Sequence, residues 1–280
     1  MALLFITLLA LLFVTALMAE PKLRARRRAK IQSQPFPAHW RGILQRRVPI
    51  WRQLPANLQL QLKKHIQVLI AEKAFLGCAG QTITDEVRVT IAAQACLLLL
   101  NRPNHYYPAL HQILVYPGSF VVPRGHTDGM GIAHHGHAVL SGESWSQGQV
   151  VLSWQDTLEG AADPTDGHNV VIHEFAHQLD QENGGANGAP ALGSARRYAH
   201  WSAVMQAEFE TLQWRTEHHE ETLLNPYGAT NPAEFFAVAS EVFFERPQHM
   251  AYQHPALYQE LSQFYRVDPR SWDLGVRPLA

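Results

Sequence analysis

The stretch "NVVIHEFAHQLDQENG", residues 169–184, sets His173 and His177 four positions apart with Glu174 beside the first. In a helix, positions i and i+4 stand one above the other on the same face, so both imidazoles can aim at one point, as Zn²⁺ binding requires. Glu174 lies one position round, angled away from ligation but close to the ion. A carboxylate there can take a proton from water on the metal and pass it to a leaving amine, which is the chemistry of a zinc hydrolase. The same spacing also occurs on amphipathic helices whose histidines are merely half-buried. A third ligand must separate the two cases.

A catalytic zinc usually takes three protein ligands and leaves one position open. No histidine follows at a suitable spacing in "HQLDQENGGANGA", so the next candidate is "NPYGATNPAEFFAVASEVFFERP", residues 225–247. Asn231-Pro232 opens a helix there, because proline suits the first helical position. Its acids Glu234, Glu241 and Glu245 lie on neighbouring faces. Glu234, one turn in, is placed to meet the histidine pair. Glu241, two turns later, is better placed to hold a ligand histidine's other ring nitrogen. Spacing favours Glu234 as the ligand and leaves Glu241 open. Tyr227, seven residues before Glu234, carries a phenol that can donate to a developing oxyanion, or is an ordinary turn tyrosine after Pro226.

These residues carry a resemblance. "HEFAHQLD", the later "YGATNPAEFFAVASEVFF" and the upstream "VVLSWQDTLEG" resemble the Mlc titration factor A family of bacterial zinc-dependent peptidases, whose catalytic core is related to that of anthrax lethal factor. The similarity covers roughly residues 35–264. It implies one Zn²⁺ held by His173, His177 and Glu234, with Glu174 as general base and Tyr227 assisting the oxyanion. It further implies aminopeptidase-type activity on a peptide or protein substrate, cytoplasmic function, and interaction with a glucose-responsive transcriptional repressor. The chain departs from the family pattern at its hydrophobic N-terminus, and at Asn187 in "GGANGAP", where an acid is expected.

The elements that must position these groups follow from periodicity and punctuation. Residues 55–76 and 84–100 read as helices, the second capped by Thr84 or Asp85. "QILVYPGSFVV", "HAVLSGESW" and "QVVLSWQDTL" are β-rich runs broken by Gly, Pro and Ser, which predicts a small antiparallel sheet. Further helices are expected at about 169–181, 194–217, 231–245 and 254–265, with Asp166 or Asn169 available to cap the first. Helices, a sheet and more helices make this an α+β, zincin-like metallopeptidase domain at residues 35–270.

Ahead of it, "MALLFITLLALLFVTALMA" is an apolar run of about 18 residues, close to what a membrane-spanning helix needs. The basic "KLRARRRAK" follows at once. Residues 1–20 are therefore read as a transmembrane anchor and residues 21–34 as a basic juxtamembrane linker. Positive charge after the span places the body at the cytoplasmic face of a bacterial inner membrane, where the cluster can also attract anionic headgroups. The alternatives are a soluble cytoplasmic protein or an exported one. Nine of the 23 Lys/Arg but only one of the 24 acids lie in residues 1–47, leaving the rest of the chain net acidic. A nucleic-acid-binding face is not expected. Cys78 and Cys96 fall in apolar, helix-like stretches and read as small hydrophobes, without disulfide or metal spacing.

Sixteen histidines invite a second metal site at His126, His134, His135 and His137, but decoration of a loop and strand is the simpler reading. Trp145, Trp154, Trp201 and Trp214 are expected in the core or a cleft wall. Two functions stand: a zinc peptidase, or a regulatory protein that sequesters a transcriptional repressor around a structural or vestigial metal site. Glu174 favours the first, since a structural site needs no base.

Overall fold

A computed structural model of the chain describes residues 1–103, 105–127, 133–140, 142–145 and 148–272, with backbone alone at 2–3, 12, 16–17, 120–127, 133–140 and 143–145. Helix α1 (Ala2–Gln32) runs unbroken from the apolar run through the basic cluster. Its apolar portion has a mean hydropathy of 2.1 with none of it buried, and the helix is long enough to cross a membrane. The basic portion, expected as a linker, is helical and attached to the body. Arg28 donates from Nε and Nη2 to the two carboxylate oxygens of Glu72, at 2.7 Å each, and Gln32 donates to Tyr106 Oη at 2.9 Å.

After α2 (Ala38–Arg47) and α3 (Ile50–Gln53), helix α4 (Ala56–Glu72) buries Leu58, Leu62, Ile66 and Leu69, the three- and four-residue stripe that its periodicity predicts. It stops four residues before the expected end. Lys73 turns extended and its Nζ donates inward to the carbonyls of Tyr107 and Leu110, at 2.6 and 2.7 Å. The chain then enters β1 (Ala74–Gly77), a strand the sequence pattern hid at the end of a helical run. Helix α5 (Asp85–Leu97) follows, capped by Thr84 Oγ1. Cys96 lies buried just before its end; Cys78, expected in a helix, follows β1 and is half-buried.

The expected antiparallel sheet is corrected. β1, β2 (Gln112–Tyr116) and β6 (Gln149–Ser153) are parallel, in the order β1-β2-β6, and only the edge strand β5 (Gly142–Trp145) is antiparallel to its neighbour β6. A separate antiparallel hairpin pairs β3 (Phe120–Thr127) with β4 (Ala133–Leu140). Parallel neighbours need long crossovers. Here α5 connects β1 to β2, while the hairpin and β5 fill the excursion from β2 to β6. Gly, Pro and Ser mark where strands end, not which strand lies alongside. Ile113 and Val115 of β2 pair with Val150 and Leu152 of β6, all four buried. The run "QVVLSWQDTL" is also corrected, because Ser153 Oγ accepts from Asp156 N at 3.2 Å and starts α6 (Trp154–Ala162) halfway along it.

The remaining helices are α7 (Val170–Asp180), α8 (Ala195–Glu217), α9 (Pro232–Glu245), α10 (Pro247–Gln253) and α11 (Pro255–Tyr265). All but α10 sit where the apolar period and caps predict them. Their core is aromatic: Trp201, Phe236, Phe243, Phe244 and Tyr265 are fully buried. Trp154 is half-buried, as a cleft wall would be, whereas Trp214 is 52% exposed and stacks on the His218 ring instead of joining the core. The side chains of Trp145 and of His126, His134, His135 and His137 lie outside the described residues.

One buried histidine links the body to α1. Tyr106 accepts from Gln32 and meets His65 Nδ1 at 2.8 Å, while His65 Nε2 is buried without a partner. Burial pushes the His65 pKa down to about 4. The unfolded chain takes this proton near pH 6.5, the folded one only near 4, so the stability is complete above 6.5 and lost as pH falls through that window. The chain should therefore lose about 1–2 kcal/mol between pH 7 and 5 from this group. Urea unfolding should show a flatter profile over that range for His65→Asn.

Candidate metal centre

Asn169 starts the site. Its side-chain oxygen accepts from Ile172 N at 3.0 Å and caps α7, so the helix begins at Val170, three residues before His173. At three- and four-residue spacing along α7, Val171, Ile172, Phe175 and Ala176 are fully buried. The face carrying His173 and His177 is thereby turned toward α9. On the facing helix Asn231 Oδ1 accepts from Ala233 N and Glu234 N, both at 3.0 Å, and Pro232 occupies the first turn. Glu234, Glu241 and Glu245, spaced seven and four apart, project from the side of α9 that meets α7.

The polar atoms converge. Glu234 Oε2 lies 3.0 Å from His173 Nε2 and 3.3 Å from His177 Nε2, and the two ring nitrogens are 3.2 Å apart. A tetrahedral zinc with bonds of about 2.0–2.1 Å sets its ligand atoms roughly 3.3 Å from one another, so these separations of 3.0–3.3 Å suit it. Two imidazole nitrogens and a carboxylate oxygen are also the donors that zinc favours. The three side chains His173, His177 and Glu234 form a metal-competent group among the described residues.

Glu241 does not join them. Its Oε1 accepts from His173 Nδ1 at 2.8 Å, so that once the ring gives up its second proton the lone pair is on Nε2, facing the centre. The two acids that spacing left as alternatives make different contacts: Glu234 reaches both histidines at Nε2 and Glu241 reaches one at Nδ1. Burial works against charge on His173, but the carboxylates of Glu234 and Glu241 outweigh it and raise the ring well above its ordinary pKa. Burial likewise opposes ionisation of Glu234, and hydrogen bonds from His173 and His177 hold it far below the usual carboxylate range. Both effects describe a pocket that draws in positive charge.

Glu174 is 5% exposed, with Oε2 buried and unpaired. Burial raises its pKa to about 7, against the pull of His173 and His177. It opens with His173 onto a cleft of about 480 Å³, whose walls include Gly142, Asp156, Asp166, Tyr227 and Glu241. Tyr227 is 48% exposed in a short 3₁₀ turn, its ring centre 6.0 Å from that of His173. It shares the cleft with the proposed base.

Two supporting residues had little or no signal in the sequence. Gly142, the first residue of β5, lies so close to Glu174 that an added Cβ would sit 2.5 Å from Oε1 and 2.7 Å from Cγ. Glu245 accepts from Asn169 Nδ2 at 2.9 Å, and the Asn169 amide donates to Glu241 Oε2 at 2.6 Å. Asn169 therefore caps α7 and also holds the carboxylate that orients His173. Its candidacy as a cap was readable; its contact with α9 was not. Asn169→Ala should cost about 1–2 kcal/mol from the lost cap alone. An unchanged Tm in thermal unfolding would remove Asn169 from this role.

Residues 22–266 match the family model described as glucose-regulated metallo-peptidase M90. The chain is 41% identical over 244 residues to the Synechocystis protein slr2042, covering 87% of this chain and 89% of that one. It is 34% identical over 235 residues to Mlc titration factor A of Yersinia pestis, and equally to that of Yersinia pseudotuberculosis, covering 83% of this chain and 85% of each relative. With a metallopeptidase model spanning most of its length and full-length relatives aligned along more than four-fifths of it, this protein belongs to the glucose-regulated metallo-peptidase M90 family.

Proposed function

We propose that the protein is a zinc-dependent peptidase of aminopeptidase type, with His173, His177 and Glu234 as zinc ligands, Glu174 as general base and Tyr227 as oxyanion donor. The observation that carries this reading is a buried, unpaired Glu174 oxygen beside three converging ligand atoms. Zinc, when bound, polarises a carbonyl as a Lewis acid and lowers the pKa of water toward ~7. Glu174 Oε2 takes a proton from the attacking water as the new C–O bond forms, and returns it to the amine nitrogen as the C–N bond breaks. Tyr227 donates its phenolic hydrogen to the carbonyl oxygen as that oxygen gains charge. Glu241 keeps His173 in one tautomer by accepting from Nδ1. An extended peptide can lie along β5, the last strand of its sheet among the described residues, main chain to main chain, which gives recognition with little demand on side chains.

The apolar part of α1 supports a single-span anchor, and the basic turns after it support a body on the cytoplasmic side. The name of the Yersinia relatives, Mlc titration factor A, supports a second role in binding a transcriptional repressor. That role needs no base, so the two readings diverge on one variant. Glu174→Gln should retain zinc by elemental analysis and lose ~10²–10⁴-fold in peptide hydrolysis. His177→Ala should lose both. A Glu174→Gln protein with undiminished hydrolysis would sink the mechanism, and one that still binds the repressor would establish binding as separate from cleavage. Gly142→Ala should also cut hydrolysis with zinc content intact, because the new methyl group displaces Glu174; a peptide-digest assay on metal-matched samples reads this directly.

A further inference from the structure

Away from the metal centre, the basic half of α1 leans on the body and forms one wall of an open groove of about 460 Å³, completed by the end of α4, Lys73 and the segment from His105 to His111. We propose that this groove binds the phosphate of an anionic phospholipid headgroup. The inference rests on the proposed membrane anchor and is independent of the peptidase reading.

Its charged lining is Arg24, Arg27, Arg28 and Lys73 against Glu20 and Glu72, an excess of two positive charges. On α1, Glu20, Arg24, Arg27 and Arg28 share one face by helical spacing, while Lys22 and Arg26 fall on the opposite side. Each cation stands in a different state. Arg28 is neutralised by its two bonds to Glu72 and serves to pin the helix. Arg24 pairs with Glu20 at the exposed surface, a contact weak enough to exchange for a phosphate oxygen. Arg27 is exposed and ready to meet an anion. Lys73 is buried to 9% exposure and gives two of its three protons to carbonyls, leaving one donor beside the groove. Burial lowers its pKa to about 8, and a bound anion would favour its charged form.

The position argues for a lipid over free phosphate. Arg24 follows the apolar run by five residues, roughly 7 Å along a helix, which is headgroup depth beneath a spanning segment. Because Arg28 and Gln32 fasten α1 to the body, the groove is held at that level. Leu23, 61% exposed, adds an apolar wall suited to a glycerol backbone and useless to an inorganic ion.

Full-length protein in neutral detergent would be titrated with short-chain phosphatidylglycerol, phosphatidylcholine and inorganic phosphate, with adducts counted by native mass spectrometry. Phosphatidylglycerol should bind and phosphatidylcholine should not. Arg24→Ala with Arg27→Ala should weaken binding about thirtyfold, the equivalent of roughly 1 kcal/mol per cation. Lys22→Ala with Arg26→Ala removes the same charge from the opposite face and should leave binding within about twofold. Equal loss in both pairs would mean diffuse attraction and overturn the site, as would absence of any lipid adduct. Inorganic phosphate that binds as tightly and displaces the lipid would overturn the lipid assignment. All four positions are exposed, so matched thermal unfolding of the two double variants guards against misfolding. Sedimentation of the full chain with vesicles tests the anchor separately, since it depends on the apolar run and survives loss of the site.

Discussion

Three carboxylates on one side of α9 are buried or nearly so, and an ionised carboxylate inside a protein is costly unless it meets partners at hydrogen-bond distance. Glu234 and Glu241 find those partners on α7 and at its cap, while Glu245, whose pKa burial pushes well above the usual carboxylate range, accepts from Asn169 Nδ2. The arrangement works only if the two helices hold one register, since a shift of one residue would turn the imidazoles about 100° away. That register is set from both sides. Asn169 and Asn231 start the two helices at defined residues, and the apolar faces of each are locked in the core by Phe175, Phe235 and Phe236. The loop after α7 closes the arrangement. Asp180 accepts from Gly188 N at 2.7 Å, and Gly188, with φ +76°, passes so near Pro232 that an added Cβ would lie 2.4 Å from its carbonyl oxygen.

The sheet contributes by proximity. Its parallel strands bury Ile113, Val115, Val150 and Leu152 behind the helices, and its antiparallel edge strand brings Gly142 against Glu174. A side chain at that position would occupy the space of the base. Glu174 itself has one unpaired buried oxygen, a local cost that folding alone does not explain and that a water-activating base would turn to use. The positive charge gathered by His173 and His177 partly offsets the penalty, which leaves the group near pKa 7 and able to carry a proton either way at neutral pH.

Much of the helical architecture is legible in the sequence. α4, α7, α8, α9 and α11 carry apolar residues at three- and four-residue intervals, and most have a capping Asn, Ser or Pro at their start, signals that act within one turn. β1 was missed because four residues after a long helix have no period of their own. α6 was read as strand because its apolar run is shared with β6, and the Ser153 cap is a single residue within it. Strand direction was wrong for a different reason: Ile113 opposite Val150 is a pairing across 37 positions, and alternation along each strand is the same whether the neighbour runs parallel or antiparallel.

The chemistry that the chain can attempt is written in local patterns of residues. Two histidines one helical turn apart with a glutamate beside them, and a second helix rich in acids, are short-range patterns enforced by the 3.6-residue repeat. Which acid meets which ring nitrogen depends on how α9 packs on α7. Glu234 and Glu241 differ by seven residues and so share a helix face; what separates them is the packing of α9 on α7, in which Glu234 meets the two Nε2 atoms and Glu241 meets Nδ1. Gly142 beside Glu174, Glu245 behind Asn169, and Arg24 and Arg27 over Lys73 are likewise meetings of distant segments. Packing sets those contacts, and no local repeat in the chain encodes them.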